Sequence, residues 1–140
     1  MSYILSIWLD DKGRVYVSDS RNNIIWRYED GRIKEWLKGK DIEDPNTMRI
    51  INNELYFGNS ADQCLKKVKL ETKEISIIAE FGPGFIDGIR SLGDGNLLVS
   101  QWQGRLYLVT TEGKVTKLLD LSNQNIYIAD FEYIPAKKMI

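Results

Sequence analysis

The sequence predicts an all-β fold in which one four-stranded unit occurs three times and then begins a fourth time. Three segments with similar strand and turn patterns start at Ile7, Met48 and Ile89, which are 41 residues apart in both steps. A further segment starts at Phe131 and contains the last ten residues of the chain. No segment shows the periodicity of an amphipathic helix. A repeat of about 40 residues is typical of radial and solenoid arrays.

The first two units are predicted over residues 3–39 and 46–80. In each unit, short apolar runs are separated by polar turn sequences that favour hairpins. The turns are Asp11-Lys12-Gly13 and Glu29-Asp30-Gly31 in the first unit, and Asn52-Asn53 and Glu71-Thr72-Lys73 in the second.

The third unit, residues 87–121, shows the four strands most clearly. Its strands are predicted at 88–92, 96–100, 105–109 and 114–119, with Gly93-Asp94-Gly95 and Thr111-Glu112-Gly113 as two of the turns. The second strand is a nearly continuous apolar run, as expected of a strand that is buried on both faces. Residues 129–140 are predicted to start the next unit.

Four antiparallel strands in a helix-free unit of about 40 residues indicate a β-propeller blade. A β-sandwich also contains short strands and regular turns, but it does not predict turns that recur in phase. We therefore predict one partial propeller domain over residues 1–140, with three blades and the start of a fourth, equal to half of a six-bladed ring. An open ring exposes apolar blade faces, so we expect either self-association, as a homodimer, or further N-terminal blades in a longer chain.

Composition excludes several classes of function. The chain has 19 basic and 20 acidic residues, no histidine and one cysteine. The near-zero net charge gives no attraction to nucleic acid or to an anionic membrane, and we expect neither partner. The lack of histidine excludes catalytic triads that need one and histidine-ligated zinc within this chain. The N-terminus does not resemble a signal peptide, which predicts a cytoplasmic protein unless a longer exported parent exists.

Four stretches of the chain resemble one known family. They are GRVYVSDSRNNIIWRYEDGRIKEWL, DPNTMRI, FIDGIRSLGDGNLLVSQWQGRLYLV and NIYIADFEYIP. Together they are similar to the C-terminal half of the gluconolactonase and regucalcin-like (senescence-marker) propellers, within the broader NHL-type superfamily. The resemblance implies a six-bladed ring with a divalent cation, often calcium, at the mouth of the central channel, where a lactone is hydrolysed.

The repeat places Leu5, Asn46 and Asp87 at one height, two residues before each expected strand start. Pro45-Asn46 and Asp87-Gly88 resemble the family's PN and DG motifs. The resemblance thus implies that Asn46 and Asp87 bind a metal ion, and that Asp87 is also the catalytic base. Carboxylate and amide oxygens suit calcium, but both pairs are also ordinary turn chemistry, and a leucine cannot coordinate a cation.

Two more residues are candidates for the site. Asp130 lies near the same height in the fourth unit and is a further possible metal ligand. Trp102 replaces a polar loop residue, which is consistent either with a ligand-binding rim or with simple packing.

Three functions remain open from the sequence. The first is a propeller module that binds a small-molecule ligand or a partner without complete catalytic machinery. The second is a calcium-dependent, lactonase-like hydrolase with Asp87 and Asn46 at the channel mouth. The third is a structural half-propeller that closes by dimerisation.

Overall fold

The computed structural model describes residues 1–137, and within this range it contains twelve β-strands and two short 3₁₀ segments. The strands form three four-stranded antiparallel sheets in simple sequence order, which confirms the all-β, partial-propeller prediction. The first blade contains β1 (Ile4–Leu9), β2 (Val15–Asp19), β3 (Ile24–Glu29) and β4 (Arg32–Lys38).

The other two blades repeat this arrangement. Blade 2 contains β5 (Pro45–Ile51), β6 (Glu54–Asn59), β7 (Cys64–Lys69) and β8 (Ile75–Glu80). Blade 3 contains β9 (Ile86–Ser91), β10 (Leu97–Gln101), β11 (Arg105–Val109) and β12 (Val115–Asp120). The 3₁₀ segments are Ser122–Gln124 and Pro135–Lys137.

The hairpin turns follow the predicted turn sequences. Asn52 and Asn53 both have positive φ, at 50° and 62°, and so do Asp30 and Gly31, at 50° and 75°. Two consecutive residues with positive φ are the signature of the two-residue turn that matches the twist of a hairpin. Asparagine, aspartate and glycine tolerate this conformation better than other residues.

The innermost strand of each blade begins before the start of its sequence repeat. β1, β5 and β9 start at Ile4, Pro45 and Ile86, three residues before the repeats that start at Ile7, Met48 and Ile89, and β9 begins two residues before the strand predicted at 88–92. The pairing register shifts between Ile4 and Ile7 in blade 1 and between Pro45 and Met48 in blade 2. Because a bulge interrupts the apolar alternation, the sequence pattern shows only the part of each strand beyond it.

The core lies between neighbouring blades. One cluster joins blades 1 and 2 and includes Tyr16, Trp36, Met48 and Phe57, and the Tyr16 and Trp36 rings meet edge to face at 4.8 Å. A second cluster joins blades 2 and 3 through residues such as Leu65, Ile89 and Val99. Neighbouring sheets meet chiefly through β1, β5 and β9, so these first strands lie at the centre of the array.

The two outer faces of the array, on blades 1 and 3, differ in what covers them. On blade 1, Trp26 and Tyr28 lie on the side of β3 opposite to the buried Ile25, with Val17 and Val15 as cross-strand partners. The side of blade 3 that faces away from blade 2 is instead contacted by residues 121–137, with Phe131 against Gly88 and the Ala129 carbonyl bonded to Ser100.

The segment that was expected to begin a fourth blade at 129–140 behaves as a covering strap over its described part. Residues 121–137 contain no strand of their own apart from an isolated bridge at Ile134. The last three residues of the segment that was predicted to begin this blade, 138–140, lie outside the described range. Within residues 1–137 no helix has the length and apolar character needed to cross a membrane.

Candidate functional site

Residues that start the three inner strands line one pocket at an end of the blade array. Leu5, Asn46 and Asp87 are the second residues of β1, β5 and β9, and all three line a cavity of about 410 Å³. Trp102, which directly follows β10, lines the same cavity. The structure therefore brings together four positions that the sequence singles out.

Asn46 and Asp87 contact each other across blades 2 and 3. The Asn46 side-chain amide donates a hydrogen bond to Asp87 Oδ1 at 3.4 Å. Burial raises the pKa of the Asp87 carboxyl, the hydrogen bond from Asn46 opposes that shift, and the nearby charge of Asp130 adds to it. The side-chain oxygen of Asn46, Oδ1, remains available as an acceptor, because the hydrogen bond to Asp87 uses only the side-chain nitrogen.

Asp130 does not line this pocket with the other candidates. Its Oδ2 atom accepts a hydrogen bond from Arg90 Nη2 at 2.9 Å, and Arg90 is 7% exposed. Glu132 binds the same guanidinium, with 3.1 Å between its Oε2 and Arg90 Nε. These ion pairs attach the C-terminal strap to blade 3, so Asp130 has a structural partner of its own.

Trp102 is held at the edge of the pocket by its neighbours. Its backbone N–H donates to the Phe85 carbonyl at 2.9 Å, and its carbonyl accepts from the Ile128 N–H at 3.1 Å. The indole stacks on the ring of Tyr127 with the centroids 5.4 Å apart, yet 43% of the residue is exposed. An aromatic face is therefore both fixed in position and accessible.

Sequence reasoning missed four residues of the pocket, which are Tyr3, Asp44, Ser60 and Phe85. The 41-residue repeat contains the signal for three of them, because Tyr3, Asp44 and Phe85 lie two residues before Leu5, Asn46 and Asp87. All three directly precede the first strand of their blade, so the repeat brings them to the same end of the array as the residues two positions further on. Burial raises the pKa of the Asp44 carboxyl.

Ser60 follows β6 at the position that Trp102 occupies after β10. It is 7% exposed, and its hydroxyl has no hydrogen-bond partner among the described residues. Buried hydroxyl groups are normally bonded, because desolvation without a partner is costly. An unpaired hydroxyl in a pocket wall is a place where a ligand can bind.

The donor set is small for a metal centre. Among residues 1–137, no group of three or more histidine, cysteine, aspartate and glutamate side chains is arranged to hold an ion. Calcium takes six to eight oxygen ligands, whereas Asp44, Asn46 and Asp87 are the carboxylate and amide side chains of this pocket. These residues do not form a calcium site by themselves.

Cys64 is excluded as a nucleophile by its surroundings. It begins β7, is 4% exposed, and burial raises the pKa of its thiol to about 11. Because the thiolate is the reactive form, Cys64 is an inert strand residue.

Comparison with known proteins identifies the fold. No protein-family model and no curated protein sequence matches the chain. Among solved structures, a streptogramin B lyase is similar at a TM-score of 0.78 and 19% identity, over 92% of this chain and 44% of that one. Virginiamycin B lyase from Staphylococcus aureus is similar at a TM-score of 0.75 and 19% identity, over 92% of this chain and 45% of that one.

A chain of the nidogen–laminin complex is also similar, at a TM-score of 0.71 and 17% identity, over 85% of this chain and 49% of that one. This chain thus spans less than half the length of the three proteins. Likeness at such low identity carries information about architecture and none about activity. The protein belongs to the broad class of β-propellers.

Proposed function

We propose that this protein is a β-propeller module that binds a small molecule in the pocket formed by Leu5, Asn46, Asp87 and Trp102. The observation that carries the proposal is that one cavity gathers in-phase polar positions from neighbouring blades beside an accessible, fixed indole. Small-molecule sites usually combine an apolar or aromatic lining with a few convergent polar groups. The volume of about 410 Å³ lies within the usual range for such sites.

A structural neighbour that binds a small molecule also supports the proposal. Virginiamycin B lyase from Staphylococcus aureus was crystallised with quinupristin, so a propeller of similar fold binds an organic molecule. Blade ends are formed by loops and strand termini, which vary without disturbing the blade core.

The four tryptophans provide a test with an internal control. We would record the indole N–H resonances of the protein while adding millimolar 2-phenylethanol, 3-phenylpropionate or 2-phenylethylamine as separate probes. At least one probe should shift the Trp102 resonance and leave that of Trp36, which is 3% exposed in the core, in place.

A pair of variants makes the test specific. Trp102→Ala should abolish saturation transfer from the protein to the bound probe, whereas Tyr28→Ala should not. Tyr28 is a matched control because it is 46% exposed on blade 1 and Trp102 is 43% exposed. If no probe shifts the Trp102 resonance, or if both variants bind equally well, the proposal is wrong.

The second candidate is the calcium-dependent, lactonase-like activity of the gluconolactonase and regucalcin-like family. The contact between Asn46 and Asp87 favours it, because those are the residues that match the family's motifs. The pocket offers too few oxygen donors for calcium on its own, and we derive no catalytic step from it. The activity predicts that millimolar calcium raises the melting temperature and that Asp87→Asn removes both this rise and any lactone hydrolysis.

Self-association is a further proposal, and the free face of blade 1 favours it. Ile7 and Ile33 are 62% and 63% exposed there, beside Trp26 and Tyr28. On blade 2 the equivalent positions include Met48, Phe57 and Val68, which are buried against blade 1. The free face of blade 1 thus has the residue pattern of an inter-blade interface, and a second copy that presents its blade 3 end would cover it.

The mass in solution tests this proposal. We expect light scattering at micromolar concentration to give twice the mass of the 140-residue chain, and we expect Ile7→Lys combined with Ile33→Lys to give the monomer. Ile77→Lys is the control, since Ile77 is 58% exposed on blade 2. A wild-type monomer would contradict self-association and would point to a further blade of a longer chain as the natural cover.

A further inference from the structure

The charge of the pocket narrows the class of ligand, and this inference rests on the proposed small-molecule function. Asp44 and Asp87 both line the cavity, and the lining contains no lysine or arginine. Among residues 1–137 neither carboxylate forms an ion pair. Two half-buried carboxylates without a cation favour a positively charged ligand, because removal from water disfavours an unpaired charge.

Neutral acceptors in the same wall favour a cation that can donate hydrogen bonds. The Ser60 hydroxyl is buried and has no partner in the described part of the chain. The Asn46 amide nitrogen is used in its bond to Asp87, which leaves the side-chain oxygen as an acceptor. An ammonium group carries three N–H donors, so one carboxylate and these two oxygens are enough to satisfy it.

The remaining wall is apolar and aromatic. Tyr3, Leu5, Phe85 and Trp102 line it, and each is between 43% and 57% exposed. Aromatic faces attract a nearby cation and also cover the hydrocarbon part of a ligand. A bare metal ion has no hydrocarbon part for this surface to cover.

We propose that the pocket binds the primary ammonium group of an organic amine with an apolar or aromatic body. The ammonium lies at the wall formed by Asp44, Asp87 and Ser60, and the body of the ligand packs on Leu5, Phe85 and Trp102. The recognised feature is thus a positive N–H donor attached to a hydrophobic group.

Calorimetry on the full chain with three organic probes of related shape and with calcium tests this proposal. The probes are 2-phenylethylamine, 2-phenylethanol, 3-phenylpropionate and calcium chloride. We expect 2-phenylethylamine to bind about tenfold or more tightly than 2-phenylethanol, as one charge-assisted hydrogen bond implies. We expect 3-phenylpropionate to bind most weakly of the three organic probes.

Charge-neutral variants show which carboxylates cause the preference for the amine over the alcohol. Asp87→Asn and Asp44→Asn keep the shape of the side chain, and each should reduce the preference for the amine over the alcohol to about threefold or less. Asp94→Asn, in an exposed turn, should leave the preference unchanged. If one variant fails to fold by circular dichroism, the other variant and the wild-type comparison still decide the outcome.

The outcomes separate this inference from the function on which it rests. Equal affinity for amine and alcohol would overturn the ammonium proposal and leave small-molecule binding intact. No binding of any organic probe, with the Trp102 resonance unmoved, would overturn both. Calcium binding without amine binding would assign the carboxylates to a metal and would also overturn the ammonium proposal.

Discussion

Asp19 shows how a single buried carboxylate organises the end of a strand. It is completely buried, and it accepts hydrogen bonds from the Tyr3 N–H at 3.2 Å, from Asn22 Nδ2 at 2.8 Å and from Trp26 Nε1 at 3.4 Å. Burial by itself would raise the pKa of Asp19, but these hydrogen bonds to its charged form lower it to about 2. Asp19 thus joins the residue that precedes β1, the turn between β2 and β3, and β3 itself.

Asp19→Asn should therefore make stability less dependent on pH in acid. Because the pKa of Asp19 is about 2 in the folded chain and 3.8 as its ordinary value, the carboxylate stabilises the fold above about pH 4, and this contribution is lost as the pH falls toward 2. We expect urea unfolding of the wild type to weaken over this interval, and we expect the variant to be less stable by about 1–3 kcal/mol at neutral pH with a flatter profile below pH 4. The exposed Asp11→Asn variant should keep the wild-type profile, and an unchanged profile in Asp19→Asn would contradict the prediction.

Gly58 lies at a close approach between blades 2 and 3. A Cβ atom at this position would lie 2.6 Å from Ile86 Cβ, whereas a Cβ atom at Gly82 would meet nothing within 4 Å. We expect Gly58→Ala to lower the free energy of unfolding by about 1–3 kcal/mol, because the neighbouring strand must move. Gly82→Ala, measured in the same chemical denaturation series, should change stability by less than about 0.5 kcal/mol. Equal effects of the two variants would show that the blades separate easily at this point.

At the scale of elements, the turn between β1 and β2 connects blade 1 to blade 2. Asp10 Oδ2 lies 2.6 Å from Arg14 Nε, and Arg14 Nη2 reaches Glu71 Oε1 of blade 2 at 3.1 Å. The side chains of Asp10 and Arg14 are almost completely buried, whereas that of Glu71 is 60% exposed. Because burial raises the free-energy cost of an unpaired charge, we expect the buried carboxylate of Asp10 to contribute far more to stability than the exposed carboxylate of Glu71.

Asp10→Ala should destabilise the protein far more than Glu71→Ala does. Removing Asp10 leaves the Arg14 guanidinium buried without its main partner, which costs about 3–5 kcal/mol. Removing Glu71 breaks the ion pairs that its exposed carboxylate makes with Arg14 and Lys12, and because Arg14 keeps Asp10, the loss should be about 0–1 kcal/mol. Thermal or urea unfolding of both variants measures the two losses of stability. If the losses are similar, water must solvate the Arg14 guanidinium once Asp10 is removed, which would contradict the prediction.

At the scale of the whole molecule, blade 2 connects the other two blades. The two apolar clusters each join blade 2 to one neighbour, so blades 1 and 3 depend on different contacts. In arrays of this kind, stability is close to a sum of unit and interface terms. Local opening should therefore begin at one end without involving the other.

Hydrogen exchange on two matched variants measures this independence. Met48→Ala removes a residue that is 1% exposed in the first cluster, and Ile89→Ala removes a residue that is 0% exposed in the second. Each should cost about 2–5 kcal/mol, with faster exchange mainly in β1–β4 for Met48→Ala and in β9–β12 for Ile89→Ala. A uniform increase over all three blades in both variants would mean that the array opens as one unit.

Much of the fold and part of the pocket were predictable because they depend on local chemistry. Hairpin turns such as Asn52-Asn53 and Asp30-Gly31 are recognisable since few residues adopt positive φ at low cost. The repeat placed Leu5, Asn46 and Asp87 at one height, because each blade repeats the same path. Asp44 and Ser60 were not predicted, since an acidic loop residue and a strand-end serine become pocket residues only when neighbouring blades bury them.

The sequence by itself determined the four-stranded unit, its repetition and the in-phase positions that line the pocket, because alternation and turn residues act within a few residues of one another. Only the tertiary structure decided where the inner strands begin, because bulges against the neighbouring strand hide those starts. It also decided that Asp130 pairs with Arg90 while Asp87 remains in the pocket, since both acids look alike in sequence and differ only in the cations that packing brings near them. The position of a charge in the chain is local information, whereas its partner depends on contacts between distant segments.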